Sequence, residues 1–249
     1  MAATSTTMLG VIPLVVSTLG ARAHGLGPLR PLFVQEPEEP AMRTSIYVDG
    51  FNLYYGAVKG TPYKWLDLKA VFAALLQRRH EIVALKYFTA RVSGKRDPQQ
   101  PIRQQTYWRA LQAWIPEFTL YEGTFLTPPV RSRLVEPIDG REFATVLKTE
   151  EKGSDVNLAV HLLNDAWLGA WDCAVVVSND SDLAEAMRLI RTQHPDKTLG
   201  LVFPRHRGHP SRELVQHAHF VKHLSKRLLA TCQLPDPIPG TRLRKPVTW

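Results

Sequence analysis

The sequence predicts an α/β protein with a mainly parallel central sheet. Three observations carry this. From Thr44 onward, short β-rich runs alternate with stretches of helical apolar periodicity. The intervening helices are ten or more residues long, which implies right-handed βαβ crossovers rather than hairpins. The apolar run "CAVVV" (173–177) leads straight into "SNDSD" (178–182), a carboxylate-rich turn placed where a buried strand meets a helix.

The elements follow in order. "SIYVDG" (45–50) is a short strand ending in Asp-Gly. "LDLKAVFAALLQRRH" (66–80) places Leu68, Val71, Phe72, Leu75 and Leu76 on one helical face, with Arg78, Arg79 and His80 at the C-terminal end, where cations suit the helix dipole. A strand is predicted over 82–92, a helix over 98–115 and a strand over 118–126. Residues 127–143 carry prolines, a glycine and three arginines and read as a loop or hairpin. A short strand then precedes a helix from Ser154 to Leu168. Strand 173–180, helix 181–193 and strand 198–204 follow, then a short helix over 211–218 and a final helix or strand-plus-helix over 219–230.

Composition narrows the class. The 249 residues suffice for one large or two small domains, and 44% hydrophobic with 22% charged residues is ordinary for a soluble globular chain. The net charge of +8 suits a polyanionic partner. Cys173 and Cys232 form neither a disulfide framework nor a zinc motif, which suggests a reducing, cytoplasmic compartment. No run of 18 apolar residues is present, so no membrane span is expected. Residues 1–43 read as a disordered leader or a mis-assigned start, with Met42 as the alternative first residue. Within them "MLGVIPLVVSTLGARA" resembles a secretory signal but lacks a positive n-region. The domain itself is expected over 44–230, and 231–249, with Pro235, Pro237 and Pro239, reads as a flexible basic tail.

In a parallel sheet, ligands gather beyond the carboxyl ends of the strands, at the switch point. That rule selects Asp49 after the first strand, Asp180 and Asp182 after the 173–178 strand, and Asp155 at a helix start. Each has a local alternative: Asp182 as a helix cap, Asp180 as a dipole partner, Ser154 rather than Asp155 as the cap, Asp49-Gly50 as a turn. If the two strands are neighbours, the four carboxylates crowd together and repel, and a hard divalent cation removes that repulsion. Such a cation supports phosphodiester hydrolysis by polarising a phosphoryl oxygen and orienting the attacking water. Asn52 is placed to orient a ligand, Lys152 to touch a phosphate or balance the aspartates, and Ser178 and Asn179 to tune the pocket.

"YVDGFNLYYG" (47–56), "EEKGSDVNLAVHLL" (150–163) and "VVVSNDSDL" (175–183), in this order, resemble the signatures of NYN domains of the PIN-like nuclease superfamily. The resemblance covers most of residues 44–230. It implies a three-layer α/β/α, PIN-like fold, an acidic pocket holding Mg2+ or Mn2+, and ribonuclease activity. Asp49, Asn52, Asp155, Asp180 and Asp182 match the family's pocket positions. Many relatives carry a further aspartate six residues after Asp155; here that position is His161, a poorer Mg2+ ligand expected to pack or hydrogen-bond at the pocket floor.

"PRHRGHPSRELVQHAHFVKH" (204–223) adds Arg205, Arg207 and Arg212 as phosphate contacts beside the pocket. Arg131, Arg133 and Lys148 approach from the other loop, and Phe51, Tyr54 and Tyr55 offer rings for bases or for the core. The expected function is a metal-dependent endoribonuclease acting on single-stranded RNA, with a homo-oligomer also compatible. The alternatives are a non-catalytic RNA-binding or regulatory module of the same fold and, more weakly, a phosphatase of the Asp-x-Asp type.

Overall fold

The computed structural model describes residues 40–95, 97–204 and 208–249. The chain runs β1 (Met42–Asp49), α1 (Gly50–Leu53), a π-helical turn (Tyr54–Val58), α2 (Leu68–Leu75), β2 (His80–Ala90) and α3 (Gln99–Trp114). Next come β3 (Phe118–Leu126), β4 (Pro129–Ile138), β5 (Arg141–Leu147), β6 (Glu150–Lys152) and α4 (Ser154–Trp167). It closes with β7 (Cys173–Val177), a 3-10 turn (Ser181–Leu183), α5 (Ala184–Gln193), β8 (Thr198–Phe203), α6 (Arg212–Val215), β9 (Phe220–His223) and α7 (Lys226–Thr231).

Seven strands form one sheet in the order β6-β3-β2-β1-β7-β8-β9. All pairings are parallel except that of β6 with β3. β1 lies at the centre, and the strand order reverses there. Its partners are β2 on one side and β7 on the other, the latter in the register Thr44–Cys173 to Val48–Val177. The cleft beyond the carboxyl ends of β1 and β7 is therefore the switch point of the sheet.

Strand alternation separates two cores. Ile46, Val48, Val175 and Val177 pack with Phe72, Trp108 and Leu111 under α2 and α3. Tyr47, Ala174 and Val176 pack with Leu158, Leu162, Met187 and Ile190 under α4 and α5. Helices thus cover both faces of the sheet, and the three-layer α/β/α expectation holds. Among the described residues no helix is long and apolar enough to cross a membrane.

The structure settles two open alternatives and departs from the expectation in one place. Asp49-Gly50 is not a simple turn but the start of α1, which runs on into a π-helical turn. The 127–143 segment is part of a hairpin, β4 with β5, reversed at Asp139-Gly140 with φ of 50° and 72°; two successive positive φ values are what an Asp-Gly hairpin turn supplies. Residues 231–249 are not a loose tail. Leu234 and Ile238 are buried, the Leu234 N–H donates to Trp65 O at 2.8 Å, and Trp249 lies edge-on against Trp65 and Tyr107. These apolar residues are irregularly spaced, so no periodicity announces them, yet each finds the core. The expected leader falls almost wholly on residues 1–39, outside the described residues.

Candidate functional site

Asp49 ends β1 and caps α1. Its Oδ1 accepts the Asn52 N–H at 2.9 Å, and its Oδ2 accepts Asn52 Nδ2 at 2.6 Å and Ser178 Oγ at 2.8 Å. Asp49 as a residue is 2% exposed. Burial pushes its pKa up and the nearby Asp180 charge adds to this, while the donors from Asn52 and Ser178 oppose it. The residue after Asp49 has to be glycine. A Cβ on Gly50 would stand 2.7 Å from the Tyr87 ring, inside van der Waals contact with a buried side chain.

The second wall follows β7. Ser178 is fully buried and joins the two strand ends: it donates to Asp49 and accepts the Asp180 N–H at 3.0 Å. Asp180 caps the 3-10 turn by accepting the Asp182 N–H at 3.0 Å. The cap is thus Asp180, and the Asp182 side chain is left exposed in the first turn. Asn179 turns away from the carboxylates and accepts the Ser211 N–H at 2.7 Å, tying down the start of α6.

The third wall is α4. Its N-cap is Gly153 at φ 100°, a conformation that suits glycine, and not Ser154. Glu151 serves the helix start, accepting the Ser154 N–H at 3.1 Å and Ser154 Oγ at 2.8 Å. Asp155 sits in the first turn, with its pKa pushed up to about 6. Burial is the largest cause, followed by the charges of Asp49, Asp180, Glu151 and Asp182. The four expected carboxylates therefore share one electrostatic neighbourhood, and Glu151 makes a fifth. Sequence reading passed over Glu151. Its signal was a Glu three residues before Ser154 at a helix start.

The donor set is all oxygen and strongly acidic, which fits a hard divalent cation. Among the described residues no three His, Cys, Asp or Glu groups already form one coordination sphere. The fit is therefore to an ion held by one or two carboxylates with waters completing its shell, the usual manner of Mg2+.

The remaining candidates divide. Lys152 pairs with Glu150 at 2.7 Å on the surface rather than with the aspartates. Lys148 pairs with the same carboxylate and, as the nearer donor, is the larger cause of holding Glu150 down at about 2. Arg212 is exposed at the start of α6, beside the 3-10 turn. Arg205 and Arg207 lie outside the described residues. His161 does not join the carboxylates. It packs against Tyr121 at 4.2 Å and Phe88 at 5.7 Å, and its pKa is lowered by burial and then by Lys86. Six residues along α4 turn it away from Asp155, onto the face that carries Asp165. There Tyr47 Oη and Lys86 Nζ donate to Asp165 Oδ2, and Trp171 Nε1 donates to Tyr47 Oη at 3.0 Å. This buried network satisfies its charge internally and braces β1 and β2 against α4.

The chain is 36% identical to 6-hydroxy-3-succinoylpyridine 3-monooxygenase HspA of Pseudomonas putida, across 84% of this chain and 75% of that one. A solved protein of unknown function from Vibrio parahaemolyticus is 18% identical, covering 77% of this chain and 98% of that one with a TM-score of 0.46. Residues 43–225, which hold all of β1 but Met42, together with α4, β7 and every carboxylate of the cleft, match the NYN domain, so the chain belongs to the NYN domain family.

Proposed function

We propose that the chain is a divalent-cation-dependent ribonuclease that hydrolyses phosphodiester bonds at the β1–β7 cleft. One observation carries this reading: Asp155 is pushed up to about 6 by burial and by four neighbouring carboxylates. A divalent cation bound in the cleft would offset such repulsion. One or two of Asp155, Asp180 and Asp182 would hold Mg2+ or Mn2+, with waters completing the shell and Asp49 buried at the end of β1. When bound, the cation would polarise a phosphoryl oxygen and lower the pKa of its water. Asn52 and Ser178 keep the Asp49 carboxylate fixed through three hydrogen bonds. Asn179 holds α6 in place, which sets Arg212 at the rim to meet substrate phosphate.

The test uses the full chain on single-stranded RNA with Mg2+, Mn2+ or EDTA. Asp182→Asn is the most informative variant, because Asp182 is exposed and its carboxylate caps nothing. Cleavage that needs the cation and falls with the variant supports the reading. Cleavage in EDTA removes it, and salt-sensitive RNA binding without turnover in any divalent ion points to a non-catalytic module.

A second reading is favoured by the Pseudomonas putida relative, named as a monooxygenase of 6-hydroxy-3-succinoylpyridine. Under it the chain inserts one oxygen atom of O2 into a pyridine ring, the other leaving as water with two electrons from an external reductant. Oxygen uptake with that pyridine and a panel of two-electron donors separates the two readings.

A further inference from the structure

The geometry points to a second site, distinct from the carboxylates. We infer that the cavity walled by α1, the π-helical turn, α3 and the C-terminal segment binds a small planar aromatic acid. Such a ligand has one ring, a hydrogen-bonding group on that ring and one negative charge. The cavity measures about 460 Å3. That falls in the roughly 300–1,000 Å3 range of small-molecule sites and far exceeds the room one trapped water needs.

The walls select a flat body. Seven of the nineteen lining residues are aromatic, in a chain that is 9% aromatic overall, so ring faces and edges dominate the contact surface. The rings are held before any ligand arrives. Tyr107 Oη donates to Leu66 O at 2.8 Å, and Trp249 stands edge-on to Tyr107 at 5.9 Å and to Trp65 at 6.5 Å. Gln104 is fixed to the backbone through Ala90 O and the Val92 N–H. Preorganised walls of this kind lower the ordering cost of binding.

Two polar features define the rest of the ligand. Tyr87 is 6% exposed, lines the cavity, and has no hydrogen-bond partner for its hydroxyl among the described residues. Its oxygen is not sealed from solvent, so it is open to a hydrogen-bonding group on the occupant. The charged lining residues are Lys64, Arg103 and Asp97. Arg103 pairs with Asp97, while Lys64 has no ion-pair partner among the described residues. Lys64 is therefore the lining cation available to a carboxylate on the ligand. Asp49, Asp155, Asp180 and Asp182 do not line the cavity. Binding here holds whichever reaction the cleft performs.

A nucleotide offers the same ring-plus-anion chemistry, so the experiment carries an arm for it. The full chain is titrated with 6-hydroxypyridine-3-carboxylate by calorimetry and by tryptophan fluorescence, since Trp108 and Trp249 line the cavity. Neutral 3-hydroxypyridine and uridine monophosphate are titrated alongside. The expected result is saturable binding of the acid with a change in emission. Binding of the neutral ring, and of the acid to Lys64→Met or Tyr87→Phe, weakens about tenfold. Binding to Asp182→Asn is unchanged. Thermal melts confirm that each variant is folded. Absence of saturable binding, equal binding by both cavity variants, or loss in Asp182→Asn overturns the inference. Tighter binding of the nucleotide than of the free acid also overturns it, and assigns the cavity to RNA.

Discussion

Ser178 Oγ donates a 2.8 Å hydrogen bond to Asp49 Oδ2, joining the ends of two strands from residues 129 positions apart in the chain. Both groups are buried, so the bond does two things. It supplies a donor to a carboxylate that water no longer reaches, and it fixes the angle at which β1 and β7 present their aspartates. Ser178→Ala leaves that carboxylate one donor short. The expected outcome is a loss of about 1–3 kcal/mol in stability, read by urea denaturation. The Asp49 pKa, already raised by burial, rises further in the variant, and the acid limb of any cleavage profile moves to higher pH.

Asp155→Asn keeps the shape and removes a charge from a crowded cleft. Without divalent cation the variant is expected to be more stable than wild type at neutral pH, since Asp155 faces four other carboxylates. Cation-dependent cleavage is expected to fall on the order of a hundredfold. A more stable but inactive variant marks a residue kept for chemistry rather than for folding. A variant that melts lower than wild type would remove this account of the cleft.

The same residue sets a pH signature. Asp155 has a folded value of about 6 against an ordinary 3.8, so between those values the folded chain holds a proton that the unfolded chain has lost. Its contribution therefore favours the folded state at low pH and is lost as pH rises through about 6. Comparing wild type with Asp155→Asn isolates the term from the other carboxylates. The gap in Tm should be small near pH 4 and widen up to pH 7 in EDTA. Saturating Mn2+ should close it at pH 7, because a bound cation offsets the repulsion.

Lys86 and Asp165 make a partly separate prediction. Lys86 Nζ lies 2.5 Å from Asp165 Oδ2, with side-chain exposures of 16% and 9%. Lys86→Met strands the carboxylate beside Tyr47 and is expected to cost about 3–5 kcal/mol. Lys86→Met with Asp165→Leu should recover much of that loss, because both charges are then gone. Equal destabilisation in the double variant would show that packing, not charge, holds this network.

Gly50 tests the backbone's part in the site. Gly50→Ala drives a methyl group to 2.7 Å from the Tyr87 ring, at the residue that follows Asp49. Overpacking of this kind costs about 1–3 kcal/mol. Its effect on function should exceed its effect on stability, since a small shift of β1's end moves Asp49 directly. Measuring Tm and kcat on the same preparation checks the comparison.

The sequence by itself determined the elements and the rim. Strand alternation, helix periodicity and the placing of Asp49, Asp155, Asp180 and Asp182 after strands or at helix starts are local properties, legible in runs of ten or so residues. Tertiary structure decided everything that depends on distant pairing. The register of β1 on β7 brings Ser178 to Asp49, and no local pattern encodes a parallel pairing across so many residues. Glu151 entered the cleft only because β6 folds back antiparallel onto β3, with Gly123 leaving room for its carboxylate. The family resemblance put His161 at the pocket floor; it does pack, but the turn of α4 sets it against Tyr121 and Phe88, away from the carboxylates. Residues 231–249 showed no periodicity because they bury isolated side chains rather than a face, and Trp249 became a wall of the aromatic cavity. Chemistry-bearing residues are visible one at a time in a sequence; which of them share a field is fixed only when burial and charge act on them together.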